Sequence, residues 1–200
     1  MASFRVHAVV ALVGSVGAAS YVGALNEFPL YWVGALSLLG FIGGLAPDVD
    51  SGETKMARYS GLFVGAILTL LAYLLSDSYI VALLAFIPVV KISQFGIYKW
   101  TTHRGVFHSI PMGLLLSITV FYLFDFLEFP HSYSVFCGEF FGGGYLVHLV
   151  LDELWSLRKG ISKRSSFGTA LQVFRPVFWK SFLATYALLG CAIYKLPFSN

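Results

Sequence analysis

Apolar residues run along the chain in seven blocks broken by short polar stretches, at about 6–25, 30–46, 60–76, 78–95, 109–127, 133–155 and 180–197. Each block is close to the ~20 residues a helix needs to cross ~30 Å of hydrocarbon. Pro29, Pro47, Pro111 and Pro130 fall at block boundaries, where a missing N–H is least damaging. Pro88 falls inside the fourth block and predicts a kink there. Only "SDSY" separates the third and fourth blocks, which predicts a tight helical hairpin. The pattern predicts an all-α polytopic membrane helix bundle of about seven transmembrane helices. No repeat period or low-complexity tract is apparent.

Composition sharpens this picture. Charged residues make up 12% of the chain and the mean hydropathy is +0.78, so a soluble or disordered chain is excluded. No polar stretch is long enough to hold a separate soluble core, so 1–200 reads as a single integral membrane domain with a basic segment at 156–180. Cys137 and Cys191 lie in apolar stretches and are too few for a disulfide framework; both read as small packing residues. Arg5, an apolar core and "GAAS" resemble a cleavable leader. An uncleaved first helix is the better reading, because Gly14, Gly17 and Ala18 suit helix packing in lipid and His7 has a use described below.

The net charge of +3 says little, but its placement says much. With seven spans, twelve of the thirteen basic residues fall on one side: Arg5, the loops holding Lys55, Arg58, Lys91, Lys99 and Arg104, and the six in 156–180. Only Lys195 lies toward the other side, whose loops carry Glu27, Asp77, Asp125 and Glu128. The positive-inside rule makes the basic side cytoplasmic and puts the N-terminus there, in a plasma or inner membrane.

The remaining polar groups converge on that same side. "THRGVFHS" holds His103 and His108, five apart and therefore out of phase for one helix face, so they meet only if His103 is on the loop that Gly105 permits. Ser109 and Pro111 then look like a helix start. "GLAPDVDSGE" puts Asp48 and Asp50 two apart at the exit of the second block, able to bind one cation or bridge two. Its likeness to a calcium loop is partial, since a third acid and the terminal Glu at its spacing are missing. In "GYLVHLVLDELW", His148 and Asp152 are four apart and share a helix face. Asp152 would cost roughly 2.5–3.5 kcal/mol at a bilayer centre and less near the interface, so it needs a partner. Glu153 points elsewhere on the helix, as a supporting group or a solvated acid. His7 lies near the start of the first block; His131 falls on the far side and is excluded.

His7, Asp48, Asp50, His103, His108, His148 and Asp152 thus gather at one membrane face, a sidedness derived from Lys and Arg alone. Three Asp and four His supply enough ligands for two divalent ions, and the absence of Cys suits Zn²⁺, Mn²⁺ or Fe²⁺. Paired ions are common machinery for hydrolysing phosphoesters. A polar network that locks helix ends together without metal would use the same residues.

His7, "LAPDVDS", "HRGVFHS" and "GYLVHLVLD" together resemble the YdjM-like inner-membrane proteins, LexA-regulated, membrane-bound, metal-dependent hydrolases of bacteria and archaea. The elements occur in the family's order over residues 7 to 152, with departures at Ala46 and Phe107, neither a ligand candidate. The resemblance implies a metal-dependent hydrolase and names no substrate. On that expectation the seven residues hold two metals that activate a water, Asp48 or Asp50 accepts a proton, and Arg104 holds a phosphate or stabilises developing charge. Arg104 is equally explained as a basic residue obeying the positive-inside rule. A site at the membrane surface suits a lipid-like or lipid-linked anionic substrate, and the 156–180 segment could attract anionic headgroups or simply enforce topology. No feature supports nucleic-acid binding. A transporter and a non-catalytic scaffold with a structural metal are the rival classes.

Overall fold

The computed structural model describes residues 4–50, 80, 106–158, 171–194 and 196. These form five α-helices: α1 (Phe4–Leu25), α2 (Leu30–Leu45), α3 (Ile110–Phe126), α4 (His131–Arg158) and α5 (Trp179–Tyr194). A 3-10 helix, Ala46–Asp50, continues α2, and another, Pro176–Phe178, precedes α5. Among the described residues there is no strand, only an isolated bridge between Ser109 and Gln172. The helices coincide with five of the seven expected spans; the third and fourth, apart from helical Ile80, lie outside the described residues. Among the described residues, four segments are long and apolar enough to cross a membrane: Arg5–Leu25, Leu30–Asp48, His131–Ser156 and Pro176–Tyr194. With 17 residues, α3 reaches about 25 Å at 1.5 Å per residue, a little less than the hydrocarbon core.

The chain divides into two compact units, Met1–Pro47 with His108–Asn200 and Asp48–Phe107. In the second, the described residues are Asp48–Asp50, which complete the 3-10 helix, Ile80, and the turn residues Val106 and Phe107. All five helices belong to the first.

Local sequence explains where its helices start and stop. Glu27 takes a left-handed φ of 55°, and Phe28 N–H reaches back to the Gly23 carbonyl at 2.9 Å, closing α1. Pro29 then opens α2 with no N–H to satisfy, and its carbonyl accepts from Trp32 and Val33 N–H. Ser109, extended at φ −144° and ψ 151°, caps α3 by accepting from Met112 N–H at 3.4 Å, with Pro111 in the first turn as expected.

Lipid tails give apolar helices no reason to associate, so close backbone approach must hold them. A Cβ on Gly43 would run into the Phe141 carbonyl of α4, and one on Gly144 into the Gly40 carbonyl of α2. On the other side of α2, a Cβ on Gly44 would meet Ala11 of α1. The helix backbones of α2 and α4 therefore touch, and α2 is held between α1 and α4. Ser117 Oγ donates to the Gly138 carbonyl at 2.7 Å, joining α3 to α4, and Tyr122 Oη donates to the Ala192 carbonyl at 2.8 Å, joining α3 to α5. Cys137 is fully buried, as a packing residue should be, whereas Cys191 faces outward on α5. Large apolar side chains such as Val13, Leu30 and Leu183 also face outward, as a lipid-contacting surface requires.

Part of the basic segment is now placed. Ile110 N–H donates to the Gln172 carbonyl at 2.9 Å, so the stretch before α5 is tied to the first turn of α3, beside His108. Residues 159–170, with Lys159, Lys163 and Arg164, lie outside the described residues.

Candidate metal centre

Four of the seven expected ligands meet inside the first unit. His7 comes from the first turn of α1, His108 from the residue before the Ser109 cap, and His148 and Asp152 from successive turns of α4; all four are buried. Asp152 is their meeting point. His7 Nε2 donates to its Oδ1 at 3.1 Å, while His108 Nε2 and His148 Nε2 lie 3.9 and 4.0 Å from its Oδ2. The His7 and His148 rings stack at 4.0 Å, and His108 stands edge-on to His148 at 5.7 Å. One ligand atom from each of His7, His148 and Asp152 lies within 4.8 Å of the others, a separation that one ion with ~2.0–2.2 Å bonds can draw together.

The orientation of His148 follows from the end of α2. A 3-10 continuation would pair the Gly44 carbonyl with residue 47, but Pro47 has no N–H. His148 Nδ1 donates to that carbonyl at 2.8 Å. The carbonyl can only accept, so the ring proton sits on Nδ1 and Nε2 is left as a lone-pair donor toward Asp152. Metal-ligating histidines are held by this kind of contact. His7 Nδ1 is buried with no hydrogen-bond partner among the described residues. A buried polar group left without a partner is costly. The donor set is therefore chemically suited to a divalent transition metal: imidazole nitrogens, one carboxylate and no thiolate among the described residues.

The position is also suitable. At 1.5 Å per residue, the 28 residues of α4 reach about 42 Å, longer than a ~30 Å hydrocarbon core, so the helix is long enough for turns at its ends to reach the interface. Asp152 lies six residues from the end of α4 and His7 three from the start of α1, so the cluster is near one end of the bundle.

The other three expected ligands stand differently. Asp48, half-buried, directly follows Pro47 in the 3-10 helix. Asp50 ends that helix, and its side chain lies outside the described residues, as do His103 and Arg104 altogether. His131 pairs with Asp125 at 3.4 Å on the exposed start of α4, about 25 Å from His148 by helical rise, and so stands apart from the cluster. Glu153 is buried, which removes its reading as a solvated acid. The Gly44 carbonyl escaped the sequence reading; the signal for it was Pro47, which deprives that carbonyl of a partner.

The model of the YdjM inner membrane protein family matches residues 1–195. The chain belongs to that family. Neither a curated protein nor a solved structure matches it. Membership in the YdjM family places the helices in an inner membrane.

Proposed function

We propose that the chain is a membrane-embedded, metal-dependent hydrolase with a cytoplasm-facing, dinuclear His/Asp centre, acting on a phosphoester or lipid-like substrate at the membrane surface. The observation that carries this reading is the buried meeting of His7, His108 and His148 on Asp152, with His148 held in its ligating tautomer by Gly44. Asp48 and Asp50 complete the centre in this proposal, because their turn leaves α2 only four and six residues past Gly44. A bound divalent ion would supply Lewis acidity and an activated water. The chain's own groups would do the rest: Asp48 or Asp50 takes a proton, and Arg104 holds the anionic group. The cationic face expected from the charge pattern attracts anionic headgroups, and a site near one helix end suits a substrate anchored in that leaflet.

The site's nearness to one end separates this reading from a carrier, whose site lies near the midplane. Elemental analysis of the purified protein beside an Asp48→Ala/Asp152→Ala variant is the first test. One or two transition-metal equivalents in the parent and none in the variant are expected, followed by release of phosphate from a lipid phosphate or lipid-linked diphosphate. A parent that stays metal-free after incubation with Zn²⁺ and Mn²⁺ would remove the basis of the proposal.

A further inference from the structure

The triplet Glu-Phe-Pro occurs twice, at 27–29 and 128–130, and each copy's Glu follows a histidine by 20 residues, His7 in one case and His108 in the other. The offset between the copies is 101 residues. Structure repeats at the same offset, although no repeat is apparent from sequence periodicity. Glu27 and Glu128 are the non-glycine residues with positive φ among the described residues, at 55° and 60°. Phe28 N–H donates to Gly23 O at 2.9 Å, and Phe129 N–H donates to Phe124 O at 3.1 Å. The Pro29 carbonyl accepts from Trp32 and Val33, and the Pro130 carbonyl from their counterparts Tyr133 and Ser134.

Contacts between the copies are reciprocal. Trp32 packs on Phe129 at 5.8 Å, and its counterpart Tyr133 packs on Phe28, the counterpart of Phe129, at 5.1 Å. Trp32 and Tyr133 themselves meet at 4.8 Å. Along α2 and α4, a Cβ on Gly43 would strike the carbonyl of Phe141, and one on its counterpart Gly144 would strike the carbonyl of Gly40, the counterpart of Phe141. Residue i touching j′ while i′ touches j is the signature of a two-fold axis. The two turns meet at one end of the bundle and His7 and His108 at the other, so the hairpins α1–α2 and α3–α4 run in parallel and the axis lies along the helices.

At the cluster end the two equivalent histidines approach different oxygens of one carboxylate: His7 Nε2 faces Asp152 Oδ1 at 3.1 Å and His108 Nε2 faces Oδ2 at 3.9 Å. We propose that the two hairpins are copies of one unit, that the metal centre lies on the axis between them, and that Asp152 bridges two ions, one served by His7 and the other by His108. The inference rests on the metal-dependent reading above and its two-ion expectation, and adds to them the two-fold relation and the division of ligands.

The test is titration of the full-length protein in detergent with Mn²⁺, read by metal equivalents and by electron paramagnetic resonance, with circular dichroism and size exclusion reporting the fold. The parent is expected to hold two equivalents with an exchange-coupled spectrum. His7→Ala and His108→Ala are each expected to hold one, with the six-line signal of an isolated ion, and Asp152→Asn to lose the coupled signal. His7→Gln and His108→Gln replace either alanine variant that fails to fold. A parent with one ion, or a histidine variant that keeps two or loses both, overturns the bridged two-fold centre while leaving a metal site in place. A parent that binds no Mn²⁺ or Zn²⁺ overturns the metal-dependent reading and this inference together.

Discussion

Replacing Gly144 with alanine should loosen the fold and the site at once. The new Cβ would meet the Gly40 carbonyl and come within 2.9 Å of the Gly44 nitrogen, so α2 and α4 must part. Reaching an ordinary carbon–oxygen separation needs a shift on the order of 1 Å. Overpacking of this kind costs about 1–3 kcal/mol, and alanine returns about 0.5–1 kcal/mol through its better helix propensity. The net loss should be up to about 2.5 kcal/mol. The same shift lengthens the 2.8 Å bond from His148 Nδ1 to the Gly44 carbonyl past hydrogen-bonding range. Losing such a support weakens metal affinity by about 10–100-fold. Gly14→Ala is the matched control, because its Cβ would meet nothing within 4 Å and only the propensity gain applies. Unfolding by sodium dodecyl sulfate in mixed micelles, followed by tryptophan fluorescence, reads the first effect; competition with a chelating dye reads the second. A Gly144→Ala protein as stable and as tight for metal as Gly14→Ala would refute the claim that backbone contact between α2 and α4 orients His148.

Other expectations follow from particular residues. Glu27→Gly and Glu128→Gly relieve left-handed strain and should each raise stability by up to about 1 kcal/mol in the same assay, by similar amounts; a loss at either would count against the shared turn. Ser109→Ala removes the α3 cap and should destabilise by about 0.5–1 kcal/mol, the low end of the range because the bond is 3.4 Å long. Tyr122→Phe removes the hydrogen bond to Ala192 and should cost about 0.5–1.5 kcal/mol, with α5 becoming the first helix to lose amide-exchange protection. In a background with Cys137 and Cys191 replaced by serine, a cysteine at Asn26 should react with an impermeant maleimide on intact cells and one at Lys163 only after lysis. The reverse pattern would refute the cytoplasmic orientation.

The helices were legible because apolar runs of bilayer length leave little choice, and the prolines at 29, 111 and 130 mark where three of them begin. The meeting of His7, His108, His148 and Asp152 was legible from sidedness, since Lys and Arg placed all four near one face before any packing was known. What holds them was not. Glycine–glycine approach is invisible to a hydropathy count, which scores Gly43 and Gly144 merely as small residues. The two-fold relation was hidden for a similar reason: between His7 and Glu27, and between His108 and Glu128, the helix surfaces face different neighbours and have diverged. The turn, which needs a left-handed residue followed by Phe-Pro, and the histidine 20 residues before it kept their identities, as did the pairs Tyr21 and Tyr122, Gly43 and Gly144, and Leu45 and Leu146.

Divergence at the other end of the copies explains the site. Under the 101-residue offset, Pro47 corresponds to His148. In the first copy proline stops the helix, turns the chain through the 3-10 segment that carries Asp48 and Asp50, and leaves the Gly44 carbonyl without its local partner. In the second copy histidine lets α4 run on to Arg158, carrying Asp152 one turn further. The carbonyl that the proline strands is the one that takes the proton of the histidine standing in the proline's place. One substitution class at a single repeat position thus supplies both the helix end that frees the acceptor and the ring that uses it. A symmetric pair of prolines would leave no imidazole there, and a symmetric pair of histidines would make the ring share the carbonyl with a backbone N–H, so the difference between the copies gives His148 an acceptor of its own.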